Sequence, residues 1–372
     1  MKIIGGDKIP KPPFIMISNH GTFFDPWLVG HFSKWPLSIM NNEDAFKAPP
    51  FINWYMRQIG TFPKKKGASD FKAMKETLKR IKLGYPVLIF PEGQTSWDGK
   101  LQPIYPGVEK IAKLAKASIV IMNLKGNFLS KPWWADFYRK GEVRVSWRVL
   151  KAKEIKEMSP DAILETILNE IKSDDLNDEK NRSVNFIGRD FAAGLNRFLW
   201  KCKKCGGDDT LEISLNKFSC VKCGASWSVD GHMVFKSTET GDTETLLDWS
   251  NWHKEQVKKS VEQADETTIL CKNSKVIYSD IGPTGEFIPL SEGILKLSKE
   301  KLEFVSQNGK RSLSFNTKDI TDYVCQRKDV FECRTNNTSY RFKITDKSAM
   351  KWIFFFRYLN EWDSCEKSGI IG

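Results

Sequence analysis

Short apolar runs alternate with amphipathic stretches through the first 150 residues. "FIMIS" (14–18), "PVLIF" (86–90) and "SIVIMNL" (118–124) are nearly unbroken, as in strands buried on both faces. Pro26 begins a helix that reaches about residue 33. In "SDFKAMKETLKRIKLG" (69–84), Phe71, Met74, Leu78 and Ile81 recur at spacings of three and four, and Gly84 stops the helix. "GVEKIAKLAKA" (107–117) turns Val108, Ile111 and Leu114 inward and Lys110, Lys113 and Lys116 outward. "EVRVSWRV" (142–149) alternates like a half-exposed strand. Strands alternating with helices predict an α/β sandwich with a largely parallel sheet.

The pattern then changes. "SDDLNDEKNRS" (173–183) is polar and charged, a boundary signal, and a helical segment over 187–200 leads to a cysteine cluster. "TETLLDWSNWHKEQVKKSVEQ" (243–263) reads as one helix with Trp249, Trp252 and Val257 against a neighbour. From about 268 the chain becomes short strands with turns, including an Asn308-Gly309 hairpin turn. It closes with an aromatic helix over 346–362, capped by Asp346. The expected organisation is a catalytic α/β domain at 1–175, a linker at 176–200, a cysteine module at 201–235, a helical connector at 236–266 and a β domain at 267–365.

Charge sharpens this division. The 372 residues carry a net +12, yet residues 1–150 hold 24 Lys/Arg against 11 Asp/Glu, and the remainder holds 34 against 35. The first part therefore meets whatever polyanion the protein meets: an anionic lipid surface, a phosphorylated substrate or nucleic acid. Mean hydropathy is −0.42. No run approaches the roughly 20 apolar residues of a spanning helix, and the start "MKIIGGDKIPKPPF" lacks the apolar core of a secretory signal. The expected location is the cytoplasm, with peripheral attachment to a membrane.

The first candidate chemistry is "SNHGTFFDPW" (18–27). Five residues along a straight helix separate two side chains by about 140°, so His20 and Asp25 cannot meet on one. Asp25-Pro26 is an N-cap/N1 signature, which leaves His20 in a loop able to fold back on Asp25. A carboxylate on one imidazole nitrogen fixes the tautomer and leaves the other free as a base. The plain alternative, a capping aspartate beside an ordinary loop histidine, stands equally on spacing alone. A second stretch breaks the tie: "LIFPEGQTSWDGKLQPIYPG" (88–107) ends a buried strand on Glu92-Gly93, and strand ends are where sites assemble in α/β sheets.

Together these stretches resemble the glycerolipid acyltransferases of the lysophosphatidic acid acyltransferase, PlsC-like family. "HGTFFD" (20–25) matches the H-x-x-x-x-D block, "GTFPKKKG" (60–67) is similar to the second block, and "FPEGQTS" (90–96) matches F-P-E-G-T-R-S. "IVIMNLKG" (119–126) sits where the family has an apolar strand, so the likeness covers about residues 10–170. It implies acyl transfer from a thioester donor, acyl-CoA or acyl carrier protein, to the hydroxyl of a lysophospholipid acceptor. His20 would be the general base, oriented by Asp25. Lys64, Lys65, Lys66, Glu92 and Gly93 would line the acceptor's polar or phosphate end. Direct attack needs no enzyme nucleophile, in keeping with the absence of G-x-S-x-G and of any cysteine before Cys202.

Two departures bear on the acceptor. Lys66 and Thr95 stand where the family has arginines; lysine keeps the charge without the bidentate fork, and threonine loses it. Either the lysine triplet supplies the phosphate site, or the acceptor is not phosphorylated. The resemblance also implies an apolar N-terminal helix pair, which is not expected here because only 19 residues precede His20. The aromatic stretch "AFKAPPFINWYMRQIGTFP" (45–63) is read either as its interfacial replacement or as core, and Trp133-Trp134 beside Lys131 carries the same ambiguity.

"CKKC" (202–205) and "CVKC" (220–223), each followed by glycine, form the two-knuckle pattern of a zinc ribbon. Cys202, Cys205, Cys220 and Cys223 are the expected ligands of a structural zinc, and "TLEISLNKFS" (210–219) the hairpin between them. The lack of excess positive charge there argues against nucleic acid as its partner. Cys271, Cys325, Cys333 and Cys365 read as reduced, half-buried thiols. The final strands and helix resemble a PH-like (PH/GRAM) domain in element order, with Lys296, Lys299, Lys301, Lys310 and Arg311 as a headgroup patch or a solvated basic face. The competing reading is a non-catalytic lipid- or nucleic-acid-binding adaptor. His20, Asp25, Glu92 and Gly93 are all present, which favours the enzyme.

Overall fold

The computed structural model describes residues 1–43, 46, 50–64, 71–282, 286–336, 338–345, 347–360 and 362–371. Two compact units divide the chain: residues 1–133, 138–187 and 365–372 in one, 134–137 and 188–364 in the other.

The first unit has strands β1 (Lys2–Gly6), β2 (Phe14–Ser18), β3 (Ser38–Asn42), β4 (Phe62–Lys64), β5 (Val87–Ile89), β6 (Ser118–Lys125) and β7 (Arg144–Leu150). Its helices are α1 (Asp25–Gly30), α2 (Pro50–Gln58), α3 (Phe71–Lys82), α4 (Val108–Ala115), α5 (Asn127–Ser130), α6 (Ala152–Glu157), α7 (Pro160–Ile171) and α8 (Glu179–Arg182). The sheet runs β1-β7-β6-β2-β5-β3-β4, parallel from β6 to β4, with β7 antiparallel to β6.

The apolar runs become its central strands because both faces are covered. Ile15 and Ile17 of β2 and Ile119 and Ile121 of β6 join one core with Ile111, Ile163 and Ile167 from the helices. Phe14, Met16, Val120 and Met122 point the other way into a core with Val29 of α1. β7 departs from the predicted alternation: both its ends are buried and Arg148 is exposed. Arg144 is buried there because Asp178 at 2.5 Å and Asn181 at 2.6 Å take its guanidinium.

Two helix faces are rotated from expectation. α4 buries Val108, Ile111 and Ala112 while Leu114 is exposed, since three and four residues on from Val108 is the inward arc. In α3, Phe71 is exposed, and the small residues Ala73 and Thr77 join Ile81 inside. The polar stretch at 173–183 folds into this unit, with Asp175 and Asn181 buried. The segment over 187–200 is not a helix; Asp190 at φ +50° and Gly194 at φ +90° interrupt it, leaving a short helical turn at Leu195–Arg197.

In the second unit, β8 (Leu211–Ser214), β9 (Lys217–Cys220), β10 (Ser226–Val229), β11 (Val234–Ser237) and β12 (Thr243–Thr245) make an antiparallel meander in sequence order. α9 (Leu246–Gln263) starts on a capping box of Thr245 and Asp248, three residues later than the helix read from sequence. Its Trp249 is fully buried, with ring centroids 5.0 Å from Trp227 and 5.1 Å from Phe218.

Seven antiparallel strands follow: β13 (Cys271–Ile281), β14 (Phe287–Leu297), β15 (Lys301–Ser306), β16 (Ser312–Asn316), β17 (Ile320–Gln326), β18 (Val330–Thr335) and β19 (Thr338–Ile344). Their order is β16-β15-β14-β13-β19-β18-β17, so the first and last strands are neighbours. α10 (Met350–Leu359) lays Trp352 and Phe356 on Phe331, at centroid distances of 5.6 and 5.4 Å. Asp346, the expected cap, lies outside the described residues; the Ser348 hydroxyl accepts the Lys351 N–H at 3.3 Å in the first turn of α10.

Candidate active site

β5, β2 and β6 lie side by side and run the same way, so the segments leaving their C-terminal ends converge. His20 follows β2, Glu92 and Thr95 follow β5, and Asn127 follows β6. Residues 72 and 102 positions apart in sequence thereby become hydrogen-bond partners.

His20 Nδ1 is 2.8 Å from Asp25 Oδ2. Asp25 is fully buried. Its Oδ2 also accepts the Thr22 N–H at 2.9 Å, and its Oδ1 accepts Asn127 Nδ2 at 2.9 Å. A carboxylate at Nδ1 assigns the ring proton to that nitrogen, leaving the Nε2 lone pair free to accept. The Thr95 hydroxyl is 3.2 Å from Nε2 and donates to it in that tautomer.

The expected helix cap is corrected by this geometry. α1 begins at Asp25 itself, with Phe24 in the cap position and no side-chain cap. The carboxylate turns back into the loop, away from the first helical turn, where Pro26 has no N–H to offer it.

The backbone of His20 is clamped at both ends. Its N–H donates to Glu92 Oε1 at 2.6 Å, and its carbonyl accepts the Ser96 N–H at 2.8 Å. The ring stacks on Phe90, centroids 4.3 Å apart. Glu92 is buried with both oxygens engaged, Oε2 accepting the Gln102 N–H at 2.8 Å. Burial pushes this carboxyl up to about 8, opposed by the Gln102 and His20 amides and assisted by the nearby charges of Asp25 and Asp98. Gly93 turns the chain at φ +68°, where a Cβ would stand 2.8 Å from the Tyr105 ring. Lys64 Nζ lies 4.9 Å from the centroid of that same ring. Lys65 and Lys66 lie outside the described residues.

Asn127 and Asp175 were not singled out from sequence. Gly21 gives Asn127 room, since a Cβ there would fall 2.7 Å from its Nδ2. Asp175 accepts the Gly126 N–H at 2.8 Å and the Phe128 N–H at 3.0 Å, fixing the turn that presents Asn127. Burial pushes the Asp175 carboxyl up to about 6, against those two amides and the Asn181 side chain. The signal for Asn127 was available: it follows the strand end at "LKG", the same criterion that picked out Glu92.

In the second unit the four cysteines of the two knuckles come together, with all four Sγ within 4.8 Å of one another. Cys202 and Cys223 sulfurs are 3.8 Å apart, and Cys205 and Cys220 sulfurs 3.7 Å. A tetrahedron with metal–sulfur bonds of about 2.3 Å has edges of about 3.8 Å, so the donor set fits such an ion. The knuckles are equivalent: Gly206 donates to the Cys202 carbonyl and Gly224 to the Cys220 carbonyl, both glycines at positive φ. All four thiols are free of disulfides.

Residues 1–125 match the family model described as Acyltransferase. Over 169 residues the chain is 28% identical to 1-acyl-sn-glycerol-3-phosphate acyltransferase of Saccharomyces cerevisiae, a match spanning 44% of this chain and 54% of that protein. It therefore spans about half the length of that relative. Among solved structures, the 1-acyl-sn-glycerophosphate acyltransferase PlsC of Thermotoga maritima matches with a TM-score of 0.40 and 19% identity, over 46% of this chain and 69% of that one. A PH domain from TgAPH matches with a TM-score of 0.18 and 15% identity, over 32% of this chain and 96% of that one. By its family match, the N-terminal region of this chain is an acyltransferase domain, similar in sequence to 1-acyl-sn-glycerol-3-phosphate acyltransferases.

Proposed function

We propose that the first unit transfers an acyl group from a thioester, acyl-CoA or acyl carrier protein, to the hydroxyl of a lysophospholipid of the 1-acylglycerol-3-phosphate kind. The observation that carries this reading is the His20 Nδ1–Asp25 Oδ2 contact of 2.8 Å within a matched acyltransferase domain. His20 Nε2 takes the proton of the acceptor hydroxyl as its oxygen attacks the thioester carbonyl. The tetrahedral intermediate collapses, the carbon–sulfur bond breaks, and the imidazolium returns that proton to the departing thiolate. Asp25 holds the imidazole in the required tautomer and balances the charge that forms on it.

In this reading the acceptor hydroxyl takes the place beside Nε2 that the Thr95 hydroxyl occupies at 3.2 Å. Glu92 braces the backbone of His20, and Gly93 allows the turn behind it. Lys64, with Lys65 and Lys66, supplies positive charge for the acceptor's phosphate in place of the arginine fork. Cys202, Cys205, Cys220 and Cys223 hold a structural zinc, which when bound fixes the two knuckles and the β8–β9 hairpin. The seven-stranded segment closed by α10 serves as a PH-like module. Among the described residues no helix is long and apolar enough to cross a membrane, and the proposed attachment is peripheral.

The test is product formation by the purified chain from labelled acyl-CoA or acyl carrier protein and lysolipids differing only in headgroup. The proposal expects acylation of the phosphate-bearing acceptor. Acylation confined to unphosphorylated acceptors would favour the alternative that Thr95 raises, and no product with any pair would leave a lipid-binding adaptor.

A further inference from the structure

The loop between His20 and Asp25 carries more apolar surface outward than its site requires. Phe23 is 52% exposed and Trp27 58%. Their rings are 5.4 Å apart, and Phe24 contacts both, at 5.3 Å from Phe23 and 5.7 Å from Trp27. The cluster extends to Trp133, 6.2 Å from Phe23, and to Tyr138, 5.4 Å from Phe24 and 59% exposed. Lys131 Nζ sits 4.6 Å from the centre of the Tyr138 ring. Five contiguous aromatic rings with a cation at the edge are unusual on a soluble surface.

We infer that this face docks on an anionic lipid bilayer, so that the acceptor reaches His20 from the membrane it resides in. Tryptophan and tyrosine favour the depth of lipid headgroups, and lysine beside them stays in reach of lipid phosphates. The charge agrees: the excess of Lys/Arg over Asp/Glu falls entirely in residues 1–150, and basic residues near an anionic surface add attraction that salt screens. Position agrees too, because Phe23 and Phe24 lie in the stretch that places His20 against Asp25. α2 repeats the chemistry, with Phe51, Trp54 and Tyr55 exposed and Arg57 in its last turn.

That the bilayer presents the acceptor rests on the acyltransferase reading; the docking itself does not, and binding is measured without turnover. The full chain is sedimented with vesicles of equal parts phosphatidylglycerol and phosphatidylcholine, and with phosphatidylcholine alone. Wild type and His20→Ala should bind the anionic vesicles alike, more weakly as salt rises. The W27S/Y138S double variant should bind about tenfold more weakly or worse, from the interfacial burial its rings lose. F23S should lose binding in the same direction, and it serves if the double variant does not fold. Unchanged binding by folded W27S/Y138S would overturn the proposal. So would unchanged vesicle binding together with loss of self-association, which would give the face to a second copy of this chain. Vesicle binding without any acyl product would keep the docking and remove the acyltransferase reading.

Discussion

Asn127 Nδ2 donates to Asp25 Oδ1 at 2.9 Å, joining the end of one parallel strand to the carboxylate that faces His20. Asp25 thus has three partners, and only one of them is the imidazole. Asn127 fixes the carboxylate from the side opposite the ring, and Asp175 fixes Asn127 through the amides on either side of it. Truncating Asn127 leaves a buried carboxylate oxygen short of a donor. Asn127→Ala should lower kcat about tenfold with little change in the acceptor KM, the size of one misplaced hydrogen bond. An equal loss appearing only in KM would place Asn127 in acceptor binding.

Glu92 makes the stability of the first unit depend on pH with a definite sign. Its carboxyl is pushed up to about 8, so between its ordinary range near 4.5 and pH 8 the folded state holds a proton that the unfolded state has released. The contribution of this group therefore weakens as pH rises across that window and is level above it. Glu92→Gln should remove that fall, at a cost of about 1–3 kcal/mol from the backbone amide its new NH₂ cannot accept from. Urea unfolding of the two proteins between pH 5 and 9 measures this, as the slope of their difference.

The second unit should respond to acid in the opposite direction. His253 is buried, its ring tilted against Trp200 with centroids 4.2 Å apart, with Nε2 3.1 Å from the Lys201 carbonyl. Burial pulls its pKa down to about 3, with the charges of Lys201 and Lys203 acting the same way and the Lys201 carbonyl opposing. The imidazole is neutral when folded and takes a proton when unfolded. Its stabilisation is complete above pH 6.5 and is lost as pH falls toward 3, by up to about 1.4 kcal/mol per pH unit. His253→Gln should flatten that acid limb of an unfolding curve followed by tryptophan fluorescence.

The cysteine tetrad predicts about one zinc per chain by elemental analysis. Removing it with a chelator should melt β8 and β9 while leaving the first unit folded, since no ligand lies there. Cys205→Ser should reduce zinc content and thermal stability together. A metal-free protein with full stability would show that the four thiols hold the knuckles unaided.

Much of this was legible because some signals are local and strong. The runs at 14–18, 86–90 and 118–124 become β2, β5 and β6 because both sheet faces are covered, and a parallel strand then has no polar side to betray. The paired C-x-x-C motifs come together as four sulfurs because each knuckle is a short turn set by its own glycine. Leu114 and Phe71 were misplaced because leucine and phenylalanine look inward to a periodicity count, whereas α3 and α4 use Ala73, Thr77 and Ala112 at their inward faces. The segment at 187–200 has helix-forming residues but a backbone interrupted at Asp190 and Gly194, which composition does not reveal. The strand-end position of Asn127 was readable, but its pairing with Asp25 was not, because the two meet only through the order of β6, β2 and β5 in the sheet.

The central claim is that Nε2 of His20 is the base. The most direct measurement is single-turnover formation of diacylglycerol phosphate from labelled acyl-CoA and 1-acylglycerol-3-phosphate by wild type and folded His20→Ala. The account predicts a fall of about 10²–10⁴-fold in the rate of the chemical step, the usual worth of a general base. A rate within a few-fold of wild type in the variant would contradict it.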